Sequence, residues 1–106
     1  MEGMVMVHIP DNVPKHMHST YVLLRGAYPE GIPDKDYFPL LAVMADTGMS
    51  NRSIAEAMGL YFGKEYIEFL HDVAHVLPNT VVHEDEKCRI LRRLQPHGFE
   101  QWAQED

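Results

Sequence analysis

The chain has 106 residues, 45% of them hydrophobic and 24% charged, which is typical of one small folded domain and not of a disordered chain. Its 9 Lys and Arg residues stand against 16 Asp and Glu residues, and the formal net charge of −7 opposes polyanionic partners at long range. Cys88 is the only cysteine, so an intrachain disulfide and a four-cysteine zinc site are excluded, and a reducing cytoplasm is the expected location.

Residues 1–18 mix Met, His and Pro without a sustained period, and we predict a flexible or loosely packed N-terminal arm there. One helical domain is predicted over residues 19–106. Glu2 occupies a position where a signal peptide would carry basic residues. No stretch reaches the roughly 18 consecutive apolar residues that span a bilayer. We therefore expect a protein that is neither secreted nor associated with a membrane.

The first predicted helix is short and is followed by a turn. Apolar residues follow Ser19, a candidate N-cap, and the helix is expected to end near Gly26. A strand is the alternative for so short a run. Pro29 and Gly31 occupy the second and fourth positions of a four-residue segment that begins at Tyr28, which indicates a type I turn.

The second predicted helix begins at Asp36 or at Asp34. Proline loses no hydrogen bond only in the first turn of a helix, and Asp36 as the N-cap places Pro39 at the third helical position. We therefore predict Asp36 as the start and Gly48 as the residue after the last turn. Four apolar residues then recur at helical spacing: Tyr37, Leu40, Leu41 and Met44.

Two further helices are predicted in the middle of the chain. The first runs from Ser50, as N-cap, to about Met58, with Gly59 in the C-terminal turn. The second covers residues 64–77 and ends at Pro78. Its predicted core residues are Tyr66, Ile67, Leu70, Val73, Ala74 and Leu77.

The fifth predicted helix covers residues 84–94, whose acidic start and basic end suit the helix dipole. Its predicted buried face includes Cys88, Ile90, Leu91 and Leu94, and we interpret Cys88 as an inert buried thiol. Gly98 ends this segment, after which Phe99 and Trp102 are expected to fold back onto the bundle. The predicted fold class is all-α, a single compact bundle of about five short helices.

Two stretches, residues 23–44 and 75–99, resemble the family called Domain of Unknown Function 3349, short proteins found in actinobacteria and especially in mycobacteria. The resemblance covers residues 20–102 and departs from the family in the order of Gly26 and Ala27 and over residues 47–64. It implies an all-helical fold and an unassigned function, without catalytic residues to carry over. The matching residues are Tyr28, Pro29, Glu30, Gly31, Pro33, Asp36, Tyr37, Pro39, Leu40, Leu41, Leu77, Pro78, Gly98 and Phe99.

The turn segment is the candidate interaction surface, comprising Tyr28, Pro29, Glu30, Asp36 and Tyr37, since functional residues concentrate on loops held by rigid elements. In the alternative interpretation the proline and glycine set the turn and the tyrosines pack. The leading hypothesis is an interaction module without catalytic activity, which binds an unknown protein partner or itself. The exposed face of the predicted 64–77 helix is the second candidate surface.

A metal-binding protein is one alternative. His71 and His75 are spaced i, i+4 with Asp72 between them, a pattern similar to the His-Glu-x-x-His zinc motif. A catalytic zinc site needs three protein ligands, however, and no third-ligand motif follows. We therefore predict no metal and no cofactor.

A helix-turn-helix DNA-binding regulator is the other alternative. Ala55 precedes Gly59 by four residues, as the first helix of that motif requires. The positions that should pack the second helix onto the first hold Glu65 and Glu68, although an inserted residue in the turn could restore the packing. Lys64 is the only cation there, while recognition helices need cations to hold phosphates. We expect DNA affinity no tighter than non-specific binding, ~10⁻⁴ M at physiological salt.

Overall fold

The computed structural model describes residues 9–104, and this part of the chain contains α-helices and short helical turns but no strand. The six α-helices are α1 (His18–Ala27), α2 (Asp34–Asp46), α3 (Asn51–Phe62), α4 (Ile67–His71), α5 (Glu84–Leu94) and α6 (Phe99–Gln104). The all-α prediction is confirmed. None of the helices within the described range has the length and hydropathy of a bilayer-spanning segment.

One hydrophobic core joins the helices. Helix α2 packs against α5, α3 packs against α1 and α4, and α6 packs against α1. The largest fully buried side chains are Tyr28, Leu24, Leu40, Leu41, Met44, Ile54, Met58, Ile90, Leu94 and Val73. Val13 and Met17 are buried as well, so packing extends N-terminal to residue 18. Residues 1–8 of the predicted arm lie outside the described residues.

Helix starts were predicted with mixed success. Ser19 is not the N-cap of α1, because the helix begins at His18 after Met17, which makes no side-chain capping bond. Ser50 is the N-cap of α3, and its Oγ accepts a hydrogen bond of 3.1 Å from the Ser53 amide. This bond satisfies one of the amides that a helix leaves without an intrahelical partner.

Helix α3 continues through Gly59, so the prediction of a C-terminal turn at that glycine is wrong. The helix ends at Gly63, whose φ of 71° is the left-handed conformation that favours glycine. Gly59 serves another purpose. A Cβ there would lie 2.8 Å from the Lys64 carbonyl oxygen and 3.1 Å from the Tyr66 nitrogen, so glycine permits the following backbone to approach α3 closely.

The predicted start of α2 at Asp36 is also wrong, since the helix begins at Asp34. Pro39 is consequently the sixth residue of α2 and cannot donate a hydrogen bond to the Lys35 carbonyl four residues earlier. The Arg89 side chain on α5 donates to that carbonyl instead, at 3.2 Å from Nη2 to O. A hydrogen bond from a helix distant in sequence therefore compensates for the bond that the interior proline cannot make.

The predicted 64–77 helix is divided in the structure. α4 is followed by a π-helical turn (Asp72–Val76) and a 3₁₀ turn (Leu77–Asn79). Pro78 has no N–H for the Ala74 carbonyl, so the i→i−4 pattern cannot continue there. Val73 is buried as predicted, but Ile67 is 59% exposed and the prediction that it lies in the core is wrong.

Helix α5 covers the predicted residues, and three of the four residues predicted on its buried face lie in the core or, like Leu91, pack against it. Ile90 and Leu94 are buried, whereas Cys88 is exposed. Ile90 lies two positions after Cys88 in the sequence, which places the two side chains about 200° apart around the helix. The prediction of a buried Cys88 thiol is therefore wrong.

Candidate functional site

Only some of the residues of the predicted turn surface are exposed to solvent. Tyr28 is completely buried and Asp36 is only 4% exposed, so neither side chain can be reached by a partner in this conformation. Pro29 and Glu30 are exposed and Tyr37 is half-buried. An interaction role for these last three residues stays a prediction.

Tyr28 and Asp36 belong to a network that fastens α5 to the turn between α1 and α2. The Tyr28 hydroxyl donates to Asp36 Oδ2 at 3.2 Å, and Arg89 Nη2 donates to Asp36 Oδ1 at 2.8 Å. The guanidinium of Arg93 lies 4.3 Å from the centre of the Tyr28 ring, and its Nε donates to the Ala27 carbonyl at 2.7 Å. Charge-assisted hydrogen bonds and cation–π contacts of this kind stabilise packing between helices.

Two further tyrosines hold the turn in place from other directions. The Tyr61 hydroxyl on α3 donates to the Tyr28 carbonyl. The Tyr37 hydroxyl donates to Asp72 Oδ2 at 2.8 Å, which connects α2 to the π-helical turn after α4. The two surfaces proposed from the sequence, the turn segment and the 64–77 segment, are therefore joined by a direct hydrogen bond.

Burial raises the pKa of the Tyr28 hydroxyl, and the nearby Asp36 carboxylate raises it further. Burial and the hydrogen bond to Asp72 raise the pKa of Tyr37 in the same way. Burial also raises the pKa of Tyr61. All three hydroxyls are consequently protonated donors at neutral pH, which suits a structural role and not that of a general base.

These raised pKa values predict that the protein loses stability in alkaline solution. The unfolded chain releases tyrosine protons from about pH 10, while the folded chain retains them to higher pH. The free energy of unfolding should therefore fall as the pH rises above about 10, by at most about 1.4 kcal/mol per pH unit for each tyrosine. Urea unfolding at about pH 8 and pH 11 measures this, and Tyr37→Phe should show a smaller loss. Equal free energies at the two pH values would contradict the prediction.

Large apolar side chains reach the solvent where α3 meets α4, a region that we call the α3–α4 corner (residues 62–69). Ile67 is 59% exposed and Phe62 is 38% exposed. The Phe62 ring stacks on Phe69, with 5.4 Å between the ring centres. Sequence reasoning missed Phe62, although its place just before Gly63 was a signal that it lies at the open end of a helix.

The polar residues of this corner are mainly acidic. Glu65 and Glu68 are exposed, and Lys64 is the exposed cation beside them. The turn between α3 and α4 begins at Gly63, four residues later than a helix-turn-helix pattern based on Gly59 requires. With the turn at this position, Phe69 packs against the core.

The two candidate metal ligands lie close together on the exposed side of the 67–76 segment. The rings of His71 and His75 are 5.3 Å apart, centre to centre, and both residues are exposed. Within residues 9–104, no group of three or more His, Cys, Asp or Glu residues is arranged to hold a metal ion. The geometry offers a pair of imidazoles, which is fewer ligands than a structural or catalytic zinc site uses.

The described residues thus form a small all-α protein in which a tyrosine, carboxylate and arginine network fixes the helices and apolar side chains remain exposed at the α3–α4 corner. Residues 15–102 match the family described as "Protein of unknown function (DUF3349)". The chain belongs to this family, as the resemblance of the turn and C-terminal motifs predicted. Comparisons with curated proteins and with solved structures gave no significant match.

Proposed function

We propose that the protein is a small cytoplasmic interaction module, which binds a protein partner or a second copy of itself through the α3–α4 corner and catalyses no reaction. The observation that carries this proposal is the exposure of Ile67 (59%) together with Phe62 in the same corner. Large apolar and aromatic side chains supply much of the contact area at the centre of protein–protein interfaces.

The rest of the corner suits a protein partner better than a nucleic acid. Glu65 and Glu68 flank the apolar residues, and the formal charge of the whole chain is −7. An acidic surface repels phosphates, and DNA-binding proteins need several cations to hold the backbone. The exposed free thiol of Cys88 supports a reducing compartment such as the cytoplasm.

Ile67→Glu tests the proposal. Ile67 is the first residue of α4, where an acidic side chain suits the helix dipole, so this variant should keep its stability. Val81→Glu is the matched control, because Val81 is 76% exposed and the change in charge is the same. We expect Ile67→Glu to lose at least tenfold in partner capture from a native lysate, or in self-association measured by sedimentation, and Val81→Glu to behave as the parent chain.

Two results would contradict the proposal. One is that the parent chain is monomeric and that the parent chain and Ile67→Glu capture the same proteins from the lysate. The other is saturable, salt-sensitive binding of mixed-sequence DNA below micromolar concentration in fluorescence anisotropy, which would favour the DNA-binding alternative.

A further inference from the structure

A groove of about 410 Å³ lies between the start of α1, the loop that joins α2 to α3, and α6. Its volume falls in the range of about 300–1,000 Å³ that is common for small-molecule sites. The groove shares no lining residue with the α3–α4 corner. An inference about this groove therefore does not depend on the proposed interaction surface.

Hydroxyl groups supply most of the polar lining, from Ser19, Thr20, Thr47, Ser50 and Ser53. Thr47 already donates to the Met44 carbonyl and Ser50 to Ser53 Oγ, so these two hydroxyls can only accept from a ligand. The hydroxyls of Ser19, Thr20 and Ser53 retain a proton to donate, so the lining complements a ligand whose own groups both donate and accept. None of the described residues that line the groove is Asp, Glu, Lys or Arg, although 24% of the chain is charged. A neutral ligand fits this lining better than an ion, whose removal from water needs a compensating charge.

The rest of the lining consists of the His16 side chain and of apolar groups, which include Met17, Met49 and the indole of Trp102. The Trp102 Nε1 donates to Thr20 Oγ1 at 2.8 Å, which holds α6 against α1 and fixes the indole at the groove. An aromatic ring beside hydroxyl groups suits a molecule with C–H groups on one face and hydroxyls around its edge.

We propose that this groove is a binding site for a neutral polyhydroxylated molecule of the size of a monosaccharide or disaccharide. The apolar side chains contact the C–H face of the ligand, and the serine and threonine hydroxyls of α1 and of the α2–α3 loop bond to its hydroxyls. The groove is open to solvent and several of its hydroxyls are already bonded within the protein, so binding should be weak, with a Kd on the order of 1–10 mM for a hexose.

Trp102 provides the measurement, since it is the only tryptophan in the chain. We expect D-glucose or maltose to change its fluorescence saturably in the full-length protein. A free tryptophan analogue in the same solutions corrects for the effect of the sugar on the solvent. Sodium phosphate is the comparison probe, because Ser50 caps the start of α3 and a helix N-terminus attracts anions.

Ser19→Tyr is designed to fill the groove from the α1 side, and it should weaken sugar binding at least tenfold. Gln101→Tyr is the matched control, because Gln101 is exposed on α6 and does not line the groove; this variant should bind as the parent chain does. Ala103→Tyr, which fills the groove from α6, replaces Ser19→Tyr if that variant does not fold.

Three outcomes overturn the proposal. The first is the absence of a saturable signal with either sugar up to about 100 mM, well above the expected Kd. The second is a signal that the folded groove-filling variant, Ser19→Tyr or its replacement Ala103→Tyr, retains in full. The third is a response to phosphate alone, which would assign the groove to anions.

Discussion

Replacing Gly59 by alanine should lower the free energy of unfolding by about 1–3 kcal/mol, although alanine is the better helix former. The new Cβ would lie 2.8 Å from the Lys64 carbonyl oxygen and 3.2 Å from the Tyr66 Cα. These are backbone atoms of the turn into α4, so relief requires the turn to move away from α3. Urea unfolding followed by circular dichroism measures the loss.

Gly26→Ala is the matched control, because Gly26 also lies inside a helix. A Cβ there would meet the side chain of His97, at 2.9 Å from Nδ1, and His97 is exposed and can turn aside. We expect this variant to be neutral or more stable by up to about 1 kcal/mol, through helix propensity. A gain in stability for both variants would show that the backbone of residues 64–66 does not approach α3 closely at Gly59.

The two glycines illustrate why helix ends were harder to predict than helices. A glycine after a short amphipathic run looks the same in the local sequence whether it ends the helix or lets another segment of backbone pack closely against it. At Gly59 the distinction depends on the path of residues 64–66, which the local sequence does not encode. Ser50 was predicted correctly because its capping bond to Ser53 lies within three residues.

The same contrast between local and distant contacts explains the second helix. In an isolated helix an interior Pro39 is unfavourable, since the Lys35 carbonyl then has no intrahelical donor. The structure supplies that donor from Arg89, 54 residues further along the chain. A prediction from neighbouring residues could not include it, and the start of α2 was consequently placed at Asp36 instead of Asp34.

The turn segment shows what can be predicted about a surface from residue types alone. Tyrosine, proline, glycine and aspartate in one turn suggested a binding loop, and the all-helical setting of that turn was predicted correctly. The environment of Tyr28 and Asp36 depends on Arg93 and Arg89 of α5, which contact the Tyr28 ring and the Asp36 carboxylate respectively. At the α3–α4 corner the error is the reverse, because a residue predicted to be buried is exposed. Ile67 matches the apolar spacing of a helix but lies at the exposed start of α4.

Asp36→Ala should lower the free energy of unfolding by about 2–3 kcal/mol. The substitution removes the acceptor of the Tyr28 hydroxyl, which is buried and would be left without a partner. It also removes the ion pair with Arg89, whose side chain is 45% exposed and can recover part of the loss by hydration. Equilibrium urea unfolding near neutral pH measures the change.

Asp46→Ala isolates the effect of burial, because Asp46 is also an acid of α2 that pairs with a cation of α5. Its Oδ2 lies 2.9 Å from Lys87 Nζ, but its side chain is 60% exposed, and removal of such a surface pair should cost less than about 1 kcal/mol. Adding Tyr28→Phe to Asp36→Ala should restore part of the lost stability, since no hydroxyl then remains unpaired. Equal losses in the free energy of unfolding for Asp36→Ala and Asp46→Ala would show that the buried network does not hold α5 to the turn.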